Sequence, residues 1–397
     1  MGRRESAPSF GMVGRATMRI LLIGNYALDR QTSMLRYADM LCSEMRQRGH
    51  EVEVVRPRVV VGGLVRRGGL RKWLGYVDKY VFFPLELRRR VRGFDVVHVC
   101  DHSNSMYLAH VGKGAASITC HDLLAIESAR GKYPQQKISA SGRVQQRWIL
   151  KHLAAAREVV CVSAHTAESL GALADGSAQR CTVILNAVNA GCVAASEEKV
   201  REVRERIGLG AEGRYLLHVG AESWYKNRFG VVRIFGKLLA EMGGGDGLRL
   251  VMAGHRLTEE MRGFIDREMP RGSVVEVAHP GDEDLWALYT GAAALLFPSL
   301  YEGFGWPVVE AQRCGCPVIV SNRAPMTEVA GDAALYIDPA DEEGAARLIA
   351  ANWERLARLR EAGTRNVERF ASAGVFGAYE DFFARVARND AGGPSVG

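Results

Sequence analysis

No apolar run in the chain approaches the ~18 residues needed to cross a bilayer. The first 17 residues, MGRRESAPSFGMVGRAT, lack the apolar core of a secretion signal, so transmembrane and secreted classes are set aside. Residues 1–6 do fit the pattern M-G-x-x-x-S of N-myristoylation, but a match this short arises by chance and carries no assignment. The eight cysteines form no C-x-x-C and no Cys/His cluster at zinc spacing. Scattered within apolar runs, they read as reduced core thiols of a cytoplasmic protein. There is no Walker motif, no H-E-x-x-H and no G-x-S-x-G. A basic face running along the chain is also missing. Residues 56–92 hold eleven Lys and Arg against two acids, so the net +7 belongs to one segment and the remainder is slightly acidic. With no reading module in view, nucleic acid is excluded as a partner, and a local patch for an anionic surface fits better.

What is present is ordinary globular material: 397 residues, 47% hydrophobic and 24% charged, enough for two domains. From Met18, short apolar runs alternate with segments of helical period, the pattern of a parallel sheet with crossover helices. The strand RILLIG opens the first half. Leu35, Ala38, Leu41, Cys42 and Met45 then share a helix face that ends at Gly49, followed by the strand EVEVV. Four more strands are expected at Asp95 to Cys100, Ser117 to Cys120, Val159 to Ser163 and Thr182 to Leu185. A fresh start comes at YLLHVG, with strands in LRLVMAG, VVEVA, AALLFPS and CPVIV separated by helices. The expected class is α/β: an N-terminal extension 1–17, a Rossmann-like domain 18–192, a linker 193–212, a second Rossmann-like domain 213–372, and a C-terminal helix and tail 373–397. Neither opening strand is followed by G-x-G-x-x-G, which removes most support for a dinucleotide.

The chemistry concentrates in LLFPSLYEGFGWPVVEAQRCGCPVIVS. A strand, Ala293 to Phe297, runs into a loop with Glu302, Gly303, Phe304 and Gly305, and a helix begins near Pro307, whose missing N–H costs nothing there. Unpaired N–H groups at such a start, with glycines allowing close approach, suit a phosphate or diphosphate. Glu302 lies in the loop and Glu310 is read into the first helical turn. By themselves the pair could be a solvated loop acid and a complement to the helix dipole.

EGFGWPVVEAQRCGCPVIVS resembles the E-x7-E signature of the retaining GT-B glycosyltransferases of family 4. FDVVHV, TCHDL, VVCVSAHTAESL, VILNAVN, HVGAESWYKN, MAG and EVAGDAALYIDP follow the same family in order, over about residues 18 to 388. The resemblance implies the GT-B fold, two Rossmann-like domains with parallel sheets facing a central cleft. It also implies roles. Glu302, taken with His121 as catalytic, would accept hydrogen bonds from donor-sugar hydroxyls, and Glu310 would bind the nucleotide ribose. The Phe304 and Gly305 amides would hold the diphosphate, and Lys226 would neutralise it as it leaves. The family's further cations fall here on Ala221 and Tyr225, so Arg228 is the proposed substitute, against a solvated charge on the following helix. His121 would end a first-domain strand with a donor-sugar or backbone contact. Asp101 and His102, at another strand end with His98, are acceptor candidates, whereas Asp122 could equally be a turn residue. The loop Asp29 to Met34 lacks the paired glycines of many members. Asp282-Glu283-Asp284 spells the metal motif of another glycosyltransferase fold, but it opens an apolar-periodic helix and reads as an N-cap with first-turn acids.

The basic segment places Leu70, Trp73, Leu74, Val77 and Val81 at helical spacing, with an Arg88 to Arg90 cluster downstream. Two readings stand: an apolar face packed on the first domain, or, through residues 66–92, an aromatic and cationic patch for an anionic membrane. The expectation is then a retaining hexosyltransferase, needing no metal or other cofactor. It would move a sugar from a nucleotide sugar to a surface-polysaccharide or lipid-linked saccharide acceptor, in the cytoplasm or peripherally on the inner face of the cytoplasmic membrane. The rival is a non-catalytic GT-B-like nucleotide-sugar-binding or scaffold protein; a phosphorylase or epimerase on the same architecture is a second. Sugar, base, acceptor and oligomeric state are left open.

Overall fold

The structure, a computed structural model, describes residues 16–29, 31–65, 69–112, 115–174 and 180–391. The expected N-terminal extension up to residue 15, Arg66 and Arg67 of the basic segment, and the tail after residue 391 lie outside the described residues.

Among the described residues, twelve strands form two parallel six-stranded sheets. The first contains β1 (Arg19–Ile23), β2 (Glu51–Val55), β3 (Val96–Val99), β4 (Ala116–Cys120), β5 (Val159–Cys161) and β6 (Cys181–Val183), in the order β2-β1-β3-β4-β5-β6. The second contains β7 (Tyr215–Gly220), β8 (Arg249–Gly254), β9 (Val274–Ala278), β10 (Ala294–Phe297), β11 (Val318–Ser321) and β12 (Ala334–Ile337), in the order β12-β11-β10-β7-β8-β9. All six first-half strands were legible as apolar runs, and the fresh start at YLLHVG is β7. The edge strand β12, ALYI, was not anticipated. In a doubly wound sheet the crevice for a ligand opens where the strand order reverses, outside the strand carboxyl ends. In the second sheet that point lies between β7 and β10, whose register pairs Ala294 with Leu216 and Leu295 with Leu217.

By contact density the chain divides into two compact units, one of Met1–Cys100, Tyr107–Ser117 and Phe382–Gly397, the other of Asp101–Met106 and Ile118–Asp381. In the first, the helix Thr32–Gln47 buries Tyr37, Ala38, Leu41, Cys42 and Met45 and stops before Gly49, whose φ of 90° is the left-handed cap expected of it. In the second, Phe297, Phe304, Val308, Tyr215 and Phe370 belong to one buried cluster. A further cluster around Phe235, Leu238, Leu250 and Leu296 packs the helix Arg228–Glu241. None of the eight cysteines is in a disulfide, and seven of them are buried.

The basic segment departs from its packing-face expectation. The helix Gly69–Val77 runs into a π-helical turn, Asp78–Phe82, and then the helix Phe83–Arg90. Leu70, Trp73, Val81, Phe82 and Leu85 are 42–63% exposed, whereas Asp78 and Lys79 are buried. Gly75, Asp78, Lys79, Phe83, Pro84 and Leu87 face inward, and Asp78 is fully occupied there. Its carboxylate accepts hydrogen bonds from the Tyr26 hydroxyl at 2.7 Å and from the Val60, Val61 and Gly62 amides at 3.0–3.1 Å. Burial drives the Asp78 pKa up, but these donors outweigh it and hold the carboxyl below its ordinary value. Beside it, Lys79 donates to Asp29 at 2.6 Å. Asp29 and its Ala27–Asp29 turn are thereby tied to the segment.

Candidate functional site

Lys226 and Glu302 come from the two strands flanking the switch point of the second sheet. After β7 the chain makes a 3-10 turn, Trp224–Lys226, closed by Asn227 at φ 53°, with the Asn227 side-chain amide donating to the Pro298 carbonyl at 3.1 Å. After β10, the Leu300 amide donates to the Tyr225 carbonyl at 2.7 Å, so the two loops are laced together. Lys226 Nζ donates to both oxygens of Glu302, at 2.8 and 3.0 Å, with side-chain exposures of 13% and 8%. The ammonium also lies 5.0 Å from the centre of the Phe297 ring. An ion pair so poorly hydrated is costly unless each charge is matched, which here they do for one another.

His121, 6% exposed, follows β4. Gly303 is the point of closest approach to it, since a Cβ at that residue would lie 2.0 Å from the His121 carbonyl oxygen. Only glycine fits, and the loop is pinned from the other side: Ser163 and Thr166 hydroxyls donate to the Gly303 carbonyl at 2.9 and 3.3 Å. Tyr301, the residue before Glu302, accepts from the Leu123 amide at 3.1 Å, and its ring meets that of Tyr133 edge-on. Gly305, at φ 103°, precedes the helix Trp306–Arg313, with Pro307 in its first two positions. The helix start therefore follows an abrupt turn at the mouth of the switch point, a geometry that presents amides to an anion.

Below this layer, His218 of β7 is wholly buried and donates from Nδ1 to the Leu296 carbonyl, 3.0 Å away. Burial pushes its pKa down to about 3, and the charges of Arg228 and Lys226 push the same way, so the ring is neutral near pH 7.

Two family models match the chain nearly end to end: Glycosyltransferase Family 4 over residues 34–191 and Glycosyl transferases group 1 over residues 199–366. The chain belongs to the group 1, family 4 glycosyltransferases. O-antigen chain mannosyltransferase B of Escherichia coli is 29% identical over 244 residues, 60% of this chain and 61% of that one. O-antigen chain mannosyltransferase RfbU of Salmonella typhimurium is 26% identical over 328 residues, 80% of this chain and 83% of that one. Among solved structures, HepE of Anabaena in complex with UDP and glucose aligns with TM-score 0.70 at 15% identity, covering 92% of this chain and 99% of that one. Sucrose-phosphate synthase of Thermosynechococcus elongatus aligns with TM-score 0.71 at 18% identity, covering 94% and 100%. The fold is GT-B.

In this glycosyltransferase the remaining candidates fall as follows. Phe304 is buried at 5% exposure with its ring against Trp306 and Phe370, so its side chain belongs to the core. Glu310 is the fifth residue of its helix and not in the first turn as expected, because the helix starts at Trp306, directly after the left-handed Gly305 and one residue before Pro307. The dipole explanation for it fails, and its carboxylate accepts instead from the buried Tyr289 hydroxyl at 3.2 Å. Arg228 is neither exposed nor solvated: at 3% exposure it donates to Glu222 and to the carbonyls of His255 and Arg256. Asp101 and His102 are buried, with Asp101 accepting from the Ser103 amide and hydroxyl at 2.9 and 2.7 Å. Burial raises the Asp101 pKa, but His102, His121 and the Ser103 donors outweigh it and keep the carboxylate charged. His102 Nδ1 lies 3.2 Å from Asp101 Oδ1. His98 is core, hydrogen-bonded to Ser117 and packed on Phe383. Asp122 caps its own turn by accepting from the Leu124 amide at 3.0 Å. Asp282 is not an N-cap, since Gly281 holds that place; Asp284 pairs with Lys199 at 3.2 Å and Arg206 at 2.6 Å. Sequence reasoning missed Tyr289, Tyr301 and His218. Tyr289 donates to Glu310 and Tyr301 accepts from the Leu123 amide, partnerships that only contacts across the fold reveal.

Proposed function

We propose that this chain transfers a mannosyl group from a nucleoside-diphosphate donor to a saccharide acceptor of a surface polysaccharide, with retention at the anomeric carbon and without a metal ion. The observation that carries the reading is the Lys226–Glu302 pair, dehydrated at the switch point and packed through Gly303 against the His121 backbone. The mannosyltransferase relatives support the choice of sugar and acceptor class.

In the reaction so read, the bond between the anomeric carbon and the diphosphate oxygen breaks. The leaving oxygen keeps the electron pair, and Lys226 with the helix start at Trp306 neutralises it. The acceptor hydroxyl attacks the same face, and its proton passes to the departing diphosphate. Glu302 and His121 orient the sugar, and Glu310 takes the ribose. Lys226 supplies the charge a metal supplies elsewhere.

The test is a panel of UDP-, GDP-, ADP- and dTDP-sugars with chelator present, read by calorimetry and by turnover onto a mannosylated oligosaccharide. Mannose transfer with an α-configured product by NMR, reduced at least 100-fold by Glu302→Gln, is expected. Saturable donor binding with no turnover on any acceptor would replace transfer with the scaffold reading. An inverted product would remove retention.

The exposed segment carries a proposal of place. Among the described residues no helix is long and apolar enough to cross a membrane. Leu70, Trp73, Val81, Phe82 and Leu85 stand in water beside Lys72, Arg88, Arg89 and Arg92, a pairing of apolar and cationic groups that suits an anionic lipid surface. Salt-sensitive sedimentation with phosphatidylglycerol vesicles, lost in Trp73→Ala/Phe82→Ala, is expected. Equal binding to phosphatidylcholine vesicles would refute it.

A further inference from the structure

A cavity of about 550 Å3 lies between the helices Leu124–Ala129 and Ala140–Ala154. Arg130, Arg143 and Arg147 line it with Gln146, over an apolar floor that includes Ile126 and Leu150. Arg143 and Arg147 are one helical turn apart, a like-charge spacing that works against the helix where an acid at either position would support it. Elsewhere on the surface Arg206 pairs with Asp284, Arg233 with Glu342 and Arg262 with Glu276. Among the described residues, Arg130, Arg143 and Arg147 make no ion pair, and Arg130 reaches only the Leu173 carbonyl, at 3.5 Å. Three planar forks thus converge on a space whose lining holds no carboxylate, a donor set matched to phosphate oxygens.

The surroundings say what carries the phosphate. Val144 and Trp148, the residues following Arg143 and Arg147, are 58% and 37% exposed, so an apolar strip runs along the helix beside the cationic one. A ligand that satisfies both strips is anionic at one end of a hydrocarbon chain. By chain geometry Arg130 is no more than about 20 Å from His121, within the span of a short oligosaccharide. We propose that this cavity seats the diphosphate of a lipid-linked saccharide acceptor, and so holds the anchored end of the acceptor while its far end reaches His121. The inference rests on the reading of the chain as a transferase to saccharide acceptors.

The test titrates the full chain by calorimetry with farnesyl diphosphate, farnesol and inorganic diphosphate, in parallel with the Arg143→Gln/Arg147→Gln variant. These arginines are exposed, so the variant should fold, which its melting curve checks. Farnesyl diphosphate is expected to bind at least tenfold more tightly than inorganic diphosphate or farnesol, and to lose at least tenfold in the variant. Equal binding of inorganic diphosphate would overturn the lipid assignment, and unchanged affinity in the variant would overturn the site. Nucleotide-sugar binding, read on the same samples, should be the same in both proteins. A loss in the variant would mean that the cavity belongs to the donor, and would overturn the proposal. If the wild type binds farnesyl diphosphate through the arginines but transfers no sugar, the transfer reading fails and the anion site survives.

Discussion

Each compact unit contains a buried lysine pressed against aromatic rings and a carboxylate, yet the two pairs are held for different ends. Lys79 reaches Asp29 at 2.6 Å beneath Tyr76 and Tyr80, and its carboxylate is 37% exposed. Lys226 reaches Glu302 at 2.8 Å beside Phe297, with both partners nearly dry. The first pair fastens a helix to a loop, next to an Asp78 carboxylate already filled by four donors. The second stands at a strand-order reversal, on loops held by backbone bonds that would remain if the pair were broken. The first pair is itself the fastening, whereas around the second the fastening is done by others, which leaves that pair exchangeable in the proposed reaction. Burial alone would not separate them.

Substituting the lysines separately is the sharpest way to break that comparison. Lys226→Met should lower turnover by about 100- to 1,000-fold and also lower the melting midpoint, because Glu302 is left unpaired at 8% exposure; adding Glu302→Gln should restore the midpoint but not the turnover. Lys79→Met should keep turnover within twofold and cost only about 1 kcal/mol of stability, because half-hydrated Asp29 is easily resolvated. Matching losses of turnover in both would erase the distinction. A larger stability effect is expected next door: Asp78→Ala strands three amides and the Tyr26 hydroxyl, and should cost about 3 kcal/mol in a denaturant titration.

The layer under Lys226 offers a pH test. The unfolded chain takes up a proton at His218 near the ordinary histidine value, but the folded chain does so only near 3. Stability should therefore fall as pH drops below about 6.5, by up to about 1.4 kcal/mol per unit from this one group. His218→Asn should flatten that slope, and an unchanged slope would show that other groups control it. The smallest effect expected is at the surface: Trp73→Ala should shift stability by less than about 0.5 kcal/mol, since its ring is 63% exposed. A loss above 2 kcal/mol would mean that the apolar strip is covered in the folded chain.

The sequence was most legible where local pattern and fold agree. The apolar runs of the first half became its six strands, and the E-x7-E segment became strand, loop and helix in the expected order. It was least legible where a distant partner decides. The helical period around Leu70 and Trp73 was real, but which face turns inward depends on Tyr26, 52 positions from Asp78, and on three loop amides. Nothing in a heptad-like pattern reports that a carboxylate has been filled. The β12 strand escaped because four residues at a sheet edge carry too little periodicity to distinguish from a loop. The position of Glu310 in its helix was misjudged by one residue because the positive φ of Gly305 sets the helix start at Trp306, and a glycine in sequence does not state its φ.

The lysine–glutamate contact also bears on how turnover ends. In the proposed reaction a sugar nucleotide parts the pair, its phosphate engaging Lys226 and its hydroxyls engaging Glu302, so each charge changes partner and neither is left bare. Once the sugar has left, a nucleoside diphosphate can satisfy only the lysine, and the 8%-exposed glutamate is stranded. Closing the pair again competes directly with the spent nucleotide for Lys226. In the proposed reaction the resting contact would thus act as a built-in ejector, one that lowers product inhibition without a moving part.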